Sequence, residues 1–85
     1  MSVAQEIRDR LQAAFAPDRL DVVDDSESHR GHAGWREGGE THFRVTLRAP
    51  ALGPMSRVAR HRAVHAALGT ELVGRIHALT LDLGG

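Results

Sequence analysis

The chain has 85 residues, no cysteine, and eleven acidic residues balanced by eleven basic ones, so its net charge is zero with histidine neutral. Those figures describe one domain with a thin core, and they exclude disulfides, thiolate ligands and a cysteine nucleophile. A zero balance also argues against strong non-specific nucleic-acid binding, which rests on a basic excess. All eleven basic residues are arginine and six residues are histidine, so partial histidine protonation near neutral pH swings the charge by several units. No apolar run approaches the roughly 20 residues of a membrane span, and Met1-Ser2-Val3-Ala4-Gln5-Glu6 lacks the features of a signal peptide. A single cytoplasmic domain over residues 1–85 is expected.

Ser2 followed by Gln5 is a capping-box pattern. Val3, Ile7, Leu11, Ala14 and Phe15 then recur at helical spacing, with Glu6, Arg8, Asp9, Arg10 and Gln12 on the other side. This predicts an amphipathic helix from about Ser2 to Phe15, closed off by Pro17, that covers one face of a sheet. Leu20-Asp21-Val22-Val23-Asp24 reads as a short strand. From Asp25 to Gly39 the pattern dissolves into Asp, Ser, His, Gly and Glu, the composition of a loop. Loops of this length in compact domains are usually functional or disordered. This one carries His29, His32 and the single tryptophan, Trp35. A binding loop and a flexible loop with Trp35 packed back on the body fit it equally well.

Thr41 to Arg48 is the cleanest strand, with Phe43, Val45 and Leu47 toward the core and His42, Arg44, Thr46 and Arg48 outward. Pro50, Gly53 and Pro54 forbid a continued ladder, so 49–54 is a connector anchored by Leu52 on a short helical turn. Ser56 caps the next helix, which the pattern carries to about Leu72 or Val73 with Gly74 as its stop. Val64, Ala67, Leu68 and Leu72 form its buried stripe. Arg57, Arg60, His61 and Arg62 crowd its first turns, where cations oppose the helix dipole by a few tenths of a kcal/mol each. That cost is either offset by a bound anion or tolerated at a solvated end. From Leu79 onward the chain alternates apolar and polar residues, the period of a half-buried strand, and His77 stands at the start of it.

The expected order is helix, strand, strand, helical connector, helix, strand (α-β-β-α-α-β). A helical crossover makes the second and third strands parallel, and the first pair antiparallel. A three-stranded mixed sheet with helices on one face follows, an α+β sandwich whose other face stays wet.

The chain resembles the BolA family over nearly its whole length. The segments that carry the likeness are Asp25-Ser26-Glu27-Ser28 with His29 and His32, Gly39-Glu40-Thr41-His42-Phe43-Arg44-Val45, Leu52-Gly53-Pro54-Met55-Ser56 leading into Arg60-His61-Arg62, and Ile76-His77-Ala78-Leu79. No single segment is specific, but four in this order and spacing are. The resemblance implies a fold like the type II KH domain. It also implies a partnership with a monothiol glutaredoxin, in which the two proteins and glutathione share a bridging [2Fe–2S] cluster absent from the isolated protein, itself expected to be a monomer. The family's principal ligand is the histidine of the Ile-His-Ala-Leu motif, here His77. The second ligand lies in the loop between the first two strands, which makes it His32, with His29 the alternative. Any function that members place in a C-terminal tail beyond Gly85 is not expected here.

The chemistry is compatible with that transfer. Iron of this kind accepts thiolate or imidazole, and a chain without cysteine offers only histidine or carboxylate. Replacing thiolates by neutral imidazoles lowers the negative charge at the cluster and raises its potential, as in Rieske centres. Imidazole ligation requires the neutral ring, so it weakens below about pH 6.5.

Nucleic-acid binding is the competing class, since some BolA-like proteins regulate transcription. Arg57, Arg60, His61 and Arg62, with Arg44 and Arg48, are its local support. Against it stand zero net charge, no lysine, two phenylalanines and one tryptophan for stacking, and no Gly-x-x-Gly loop placed as a KH domain needs it. The Arg60-His61-Arg62 run fits a glutaredoxin contact or a structural role as well. Catalysis is not expected, because no serine, histidine and acid set falls at interpretable spacing. His61 and His65 share a helix face as a two-ligand zinc couple, which alone is a weak site.

Overall fold

Apolar spacing and two serine caps set the helical layer. The computed structural model describes residues 2–25 and 42–85. Helix α1 (Val3–Phe15) starts at Ser2, whose Oγ accepts from the Gln5 backbone N–H at 3.1 Å. Only half of the expected capping box forms, because the Gln5 side chain donates to Asp9 Oδ1 at 2.8 Å instead of reaching back. Val3, Ile7 and Leu11 are buried, while Ala14, expected on the same stripe, is exposed. The helix ends at Ala16, a non-glycine residue in the left-handed region at φ 44°.

Strands β1 (Arg19–Asp24), β2 (His42–Arg48) and β3 (Ala78–Gly84) form one sheet in that spatial order. β1 runs antiparallel to β2, and β3 runs parallel to it. The register stacks the inward residues in rows: Leu20, Leu47 and Leu83; Val22, Val45 and Leu81; then Phe43 with Leu79. β2 is central, so Phe43, Val45 and Leu47 are at most 2% exposed. They share one core with Ile7, Leu11, Leu52, Val64, Leu68 and Leu72. The mixed sheet with helices over one face is therefore as expected. The outer face carries solvent-exposed ion pairs, among them Arg44 with Asp25 at 3.3 Å and Arg48 with Asp82 at 2.9 Å, each worth under about 1 kcal/mol.

After β2 a single 3₁₀ turn (Pro50–Leu52) drops Leu52 fully into the core. Arg60 then ties this connector down: Nε donates to Leu52 O at 2.8 Å and Nη2 to Gly53 O at 3.0 Å. The next helix departs from the expected single span. It divides into α2 (Arg57–Leu68), capped by Ser56, and a short α3 (Thr70–Gly74), with Gly69 between them at φ 85° and ψ 152°. Among the described residues Gly69 is the one glycine at positive φ. Gly74, expected to be the stop, is an ordinary final helical residue, and Arg75 closes α3 with φ −84°. The break lies where Arg10 Nη1 of α1 donates to the Leu68 carbonyl. A kink there buries Leu72 completely and turns the chain toward β3.

Candidate functional site

The crossover delivers the segment 75–77 to the start of β3. Arg75 anchors it through a bidentate pair with Glu6 of α1, Nη1 to Oε2 at 3.0 Å and Nη2 to Oε1 at 2.8 Å, and its Nε lies 2.9 Å from Glu71 Oε1. The hydrogen bond from Arg75 holds the Glu6 carboxyl below its ordinary range and raises the guanidinium in return. Ile76 is half-buried and packs against the core. Ala78 enters the parallel ladder opposite His42. His77 is thus fixed through its backbone on both sides, and its ring is exposed.

His42 lies beside it. The two ring centroids are 5.2 Å apart with planes at 59°. His42 is 4% exposed, which corrects its expected place on the wet face alongside the exposed Arg44. It keeps the outward side of the strand alternation. At the first residue of β2, however, the His77 ring packs beside it, and Asp25 N–H donates to its carbonyl at 2.7 Å. The burial of His42 was not legible from alternation alone. The signal for it is the register, which sets His42 next to the residue that precedes β3.

The other expected ligands, His32 and its alternative His29, lie outside the described residues, as does Trp35. Among the described residues no three histidine or carboxylate side chains converge as a metal site.

The cationic group divides in two. Arg60 is committed to backbone carbonyls, including a longer approach to Leu83 O at 3.5 Å. Arg57, His61 and Arg62 instead line an open depression of about 380 Å³ on α2, together with Val58 and His65. His65 Nδ1 donates to His61 O at 2.8 Å, a contact along α2. No described helix is long and apolar enough to cross a membrane.

The model of the BolA-like protein family matches residues 11–84. The chain belongs to the BolA-like family. It is 40% identical to BolA-like protein 1 of Mus musculus over 94% of its own length, and it spans 56% of that protein. It is 37% identical to the DNA-binding transcriptional regulator BolA of Escherichia coli, across 95% of this chain and 73% of the relative. The BolA domain of SufE1 from Arabidopsis thaliana superposes with a TM-score of 0.83 at 34% identity, covering 99% of this BolA-like chain and 92% of the other. The α+β architecture derived from the sequence is therefore that of solved BolA domains.

Proposed function

We propose that this BolA-like chain is a non-enzymatic adaptor, monomeric when alone, that binds a monothiol glutaredoxin in the cytoplasm and co-ligates a bridging [2Fe–2S] cluster. His77 is the principal ligand and His32, or alternatively His29, the second. The observation that carries this reading is the exposed His77 ring on a backbone fixed by the Glu6–Arg75 pair and the β2–β3 ladder. Such a ligand needs no backbone ordering on binding, and the buried His42 ring lies against it at 5.2 Å between centroids. The donor chemistry fits, because a chain without cysteine presents imidazole to iron. The thiolates come from the glutaredoxin and glutathione.

The test is a visible circular dichroism titration of this protein into a glutaredoxin–glutathione [2Fe–2S] cluster. A new spectrum saturating at one-to-one is expected, lost in His77→Ala while the far-ultraviolet spectrum is unchanged. A His77→Ala variant with the wild-type visible spectrum refutes the assignment.

A second reading, DNA binding, is favoured by the E. coli relative's name and by Arg57 and Arg62 of α2, which have no partner among the described residues. Its signature is a steep loss of affinity for duplex DNA with salt.

A further inference from the structure

The α2 face lies apart from the histidine site. Arg57, Arg60 and His61 border Leu81, Asp82 and Leu83, at the far end of β3 from His77. Leu83 stands six positions after His77 along the strand, a span of about 20 Å. A partner seated on His77 leaves this face open.

Three observations describe what the face binds. First, α2 contains no acidic residue, and Arg57 and Arg62 make no hydrogen bond or ion pair among the described residues. Every other described arginine is engaged: Arg19, Arg44, Arg48 and Arg75 on carboxylates, Arg10 and Arg60 on carbonyls, Arg8 on Gln5. Second, Val58 is 59% exposed, the more exposed of the two large hydrophobics at the described surface. It stands three residues before His61 and four before Arg62, so the three share one helix face. Third, the cations occupy the start of the helix, where they oppose its dipole and an incoming anion relieves them.

We propose that this face docks an acidic amphipathic segment of a protein partner, which lays one apolar side chain on Val58 and carboxylates against Arg57 and Arg62. Carboxylates pair with guanidinium groups in bidentate fashion, and the apolar centre gives the segment an anchor. A nucleic-acid backbone uses the cations but has nothing to place on Val58, and the rings lining the face are the imidazoles of His61 and His65 rather than a phenyl or indole platform for a base. The chain's zero net charge also favours a local acidic contact over a polyanion. Arg60 is excluded because its guanidinium holds the 50–53 connector.

The test uses the full chain labelled with nitrogen-15 and a synthetic peptide that repeats glutamate and leucine at helical spacing. A peptide with lysine for every glutamate and a short DNA duplex are the comparisons. The acidic peptide is expected to shift the amides of 57–65 saturably, with binding weakened by salt. Val58→Ser abolishes saturation, and the double variant Arg57→Glu, Arg62→Glu lowers affinity at least about tenfold and accepts the lysine peptide instead. All three positions are exposed, and thermal melts confirm that the variants fold. No saturable shift, acidic-peptide binding that ignores Val58→Ser, or tighter binding of the duplex at the same amides each overturns the proposal. His77→Ala leaves peptide binding unchanged, so failure here is separable from failure of the cluster reading.

Discussion

Replacing Gly69 with alanine probes the break that sends the chain from α2 into α3 and on to His77. At φ 85° and ψ 152°, Gly69 occupies backbone space that L side chains avoid, and holding alanine there costs on the order of 1–3 kcal/mol. A built Cβ also lies 3.3 Å from Arg10 Nη1, the nitrogen that donates to Leu68 O. If the guanidinium yields, that carbonyl loses its partner for roughly another 1 kcal/mol. The stiffer unfolded chain returns roughly 0.5–1 kcal/mol. The net expectation is a loss of about 2 kcal/mol, or roughly 8–16 °C in melting temperature for a domain of this size.

Gly74→Ala is the matched comparison. Nothing lies within 4 Å of a Cβ at Gly74, and its φ is not positive, so alanine there is neutral or stabilising by up to about 1 kcal/mol. Urea denaturation followed by far-ultraviolet circular dichroism measures both. Repeating Gly69→Ala in an Arg10→Ala background separates the steric share from the dihedral share, since only the dihedral cost survives loss of the guanidinium. Equal effects of the two glycine substitutions, within about 0.5 kcal/mol, would refute the reasoning.

Ala16 presents the converse case: it caps α1 in the left-handed region at φ 44°, so Ala16→Gly relieves local strain and is expected to raise stability by about 0.5 kcal/mol, read as a higher urea midpoint with unchanged slope. Glu6 is held below its ordinary value of 4.5 chiefly by the hydrogen bond from Arg75. A carboxyl depressed in the fold contributes stability that is present above its unfolded pKa and lost as pH falls through its folded pKa. Melts taken from neutral pH downward should therefore show the wild type more stable than Glu6→Gln at neutral pH, with the gap closing below pH 4.5; a constant gap would remove the pair from the acid response.

Much of the fold was legible because local signals agreed with the tertiary answer. Ser2 and Ser56 cap the helices that their neighbours predict. Phe43, Val45 and Leu47 alternate as the central strand requires, and the parallel β2–β3 pair follows from the helical crossover. The α2–α3 break was not legible. Thr70-Glu71-Leu72-Val73 continues a helix as well as it starts one, and the decisive contacts come from Arg10, 58 positions earlier than Leu68. Arg60 reads like its cationic neighbours in sequence, because the carbonyls it holds belong to a connector whose path only the fold defines. His77 stands out in the sequence by its place before an alternating run, while its ligand role comes only from the family resemblance. Its neighbour His42 becomes visible only with the register, since alternation states which side a residue takes but not what covers that side at a strand's end.

The same crossover that hides the break also separates the two proposed surfaces. A parallel pair needs a connection that returns the chain from the end of β2 to the start of β3. The first residues after β2 and the last residues before β3 must then lie at opposite ends of the sheet. Arg57, Val58 and Arg62 belong to the first group and His77 to the second, with the rigid β2–β3 ladder between them. Among the described residues no side-chain hydrogen bond or ion pair joins them: Arg75 pairs with Glu6 and Glu71, and Arg60 anchors its own end to Leu52 and Gly53. Substitutions at the two ends share no partner, so their effects on stability and binding should add. If both proposals hold, an adaptor built this way would engage two partners at once, one through an imidazole and one through a cationic helix face.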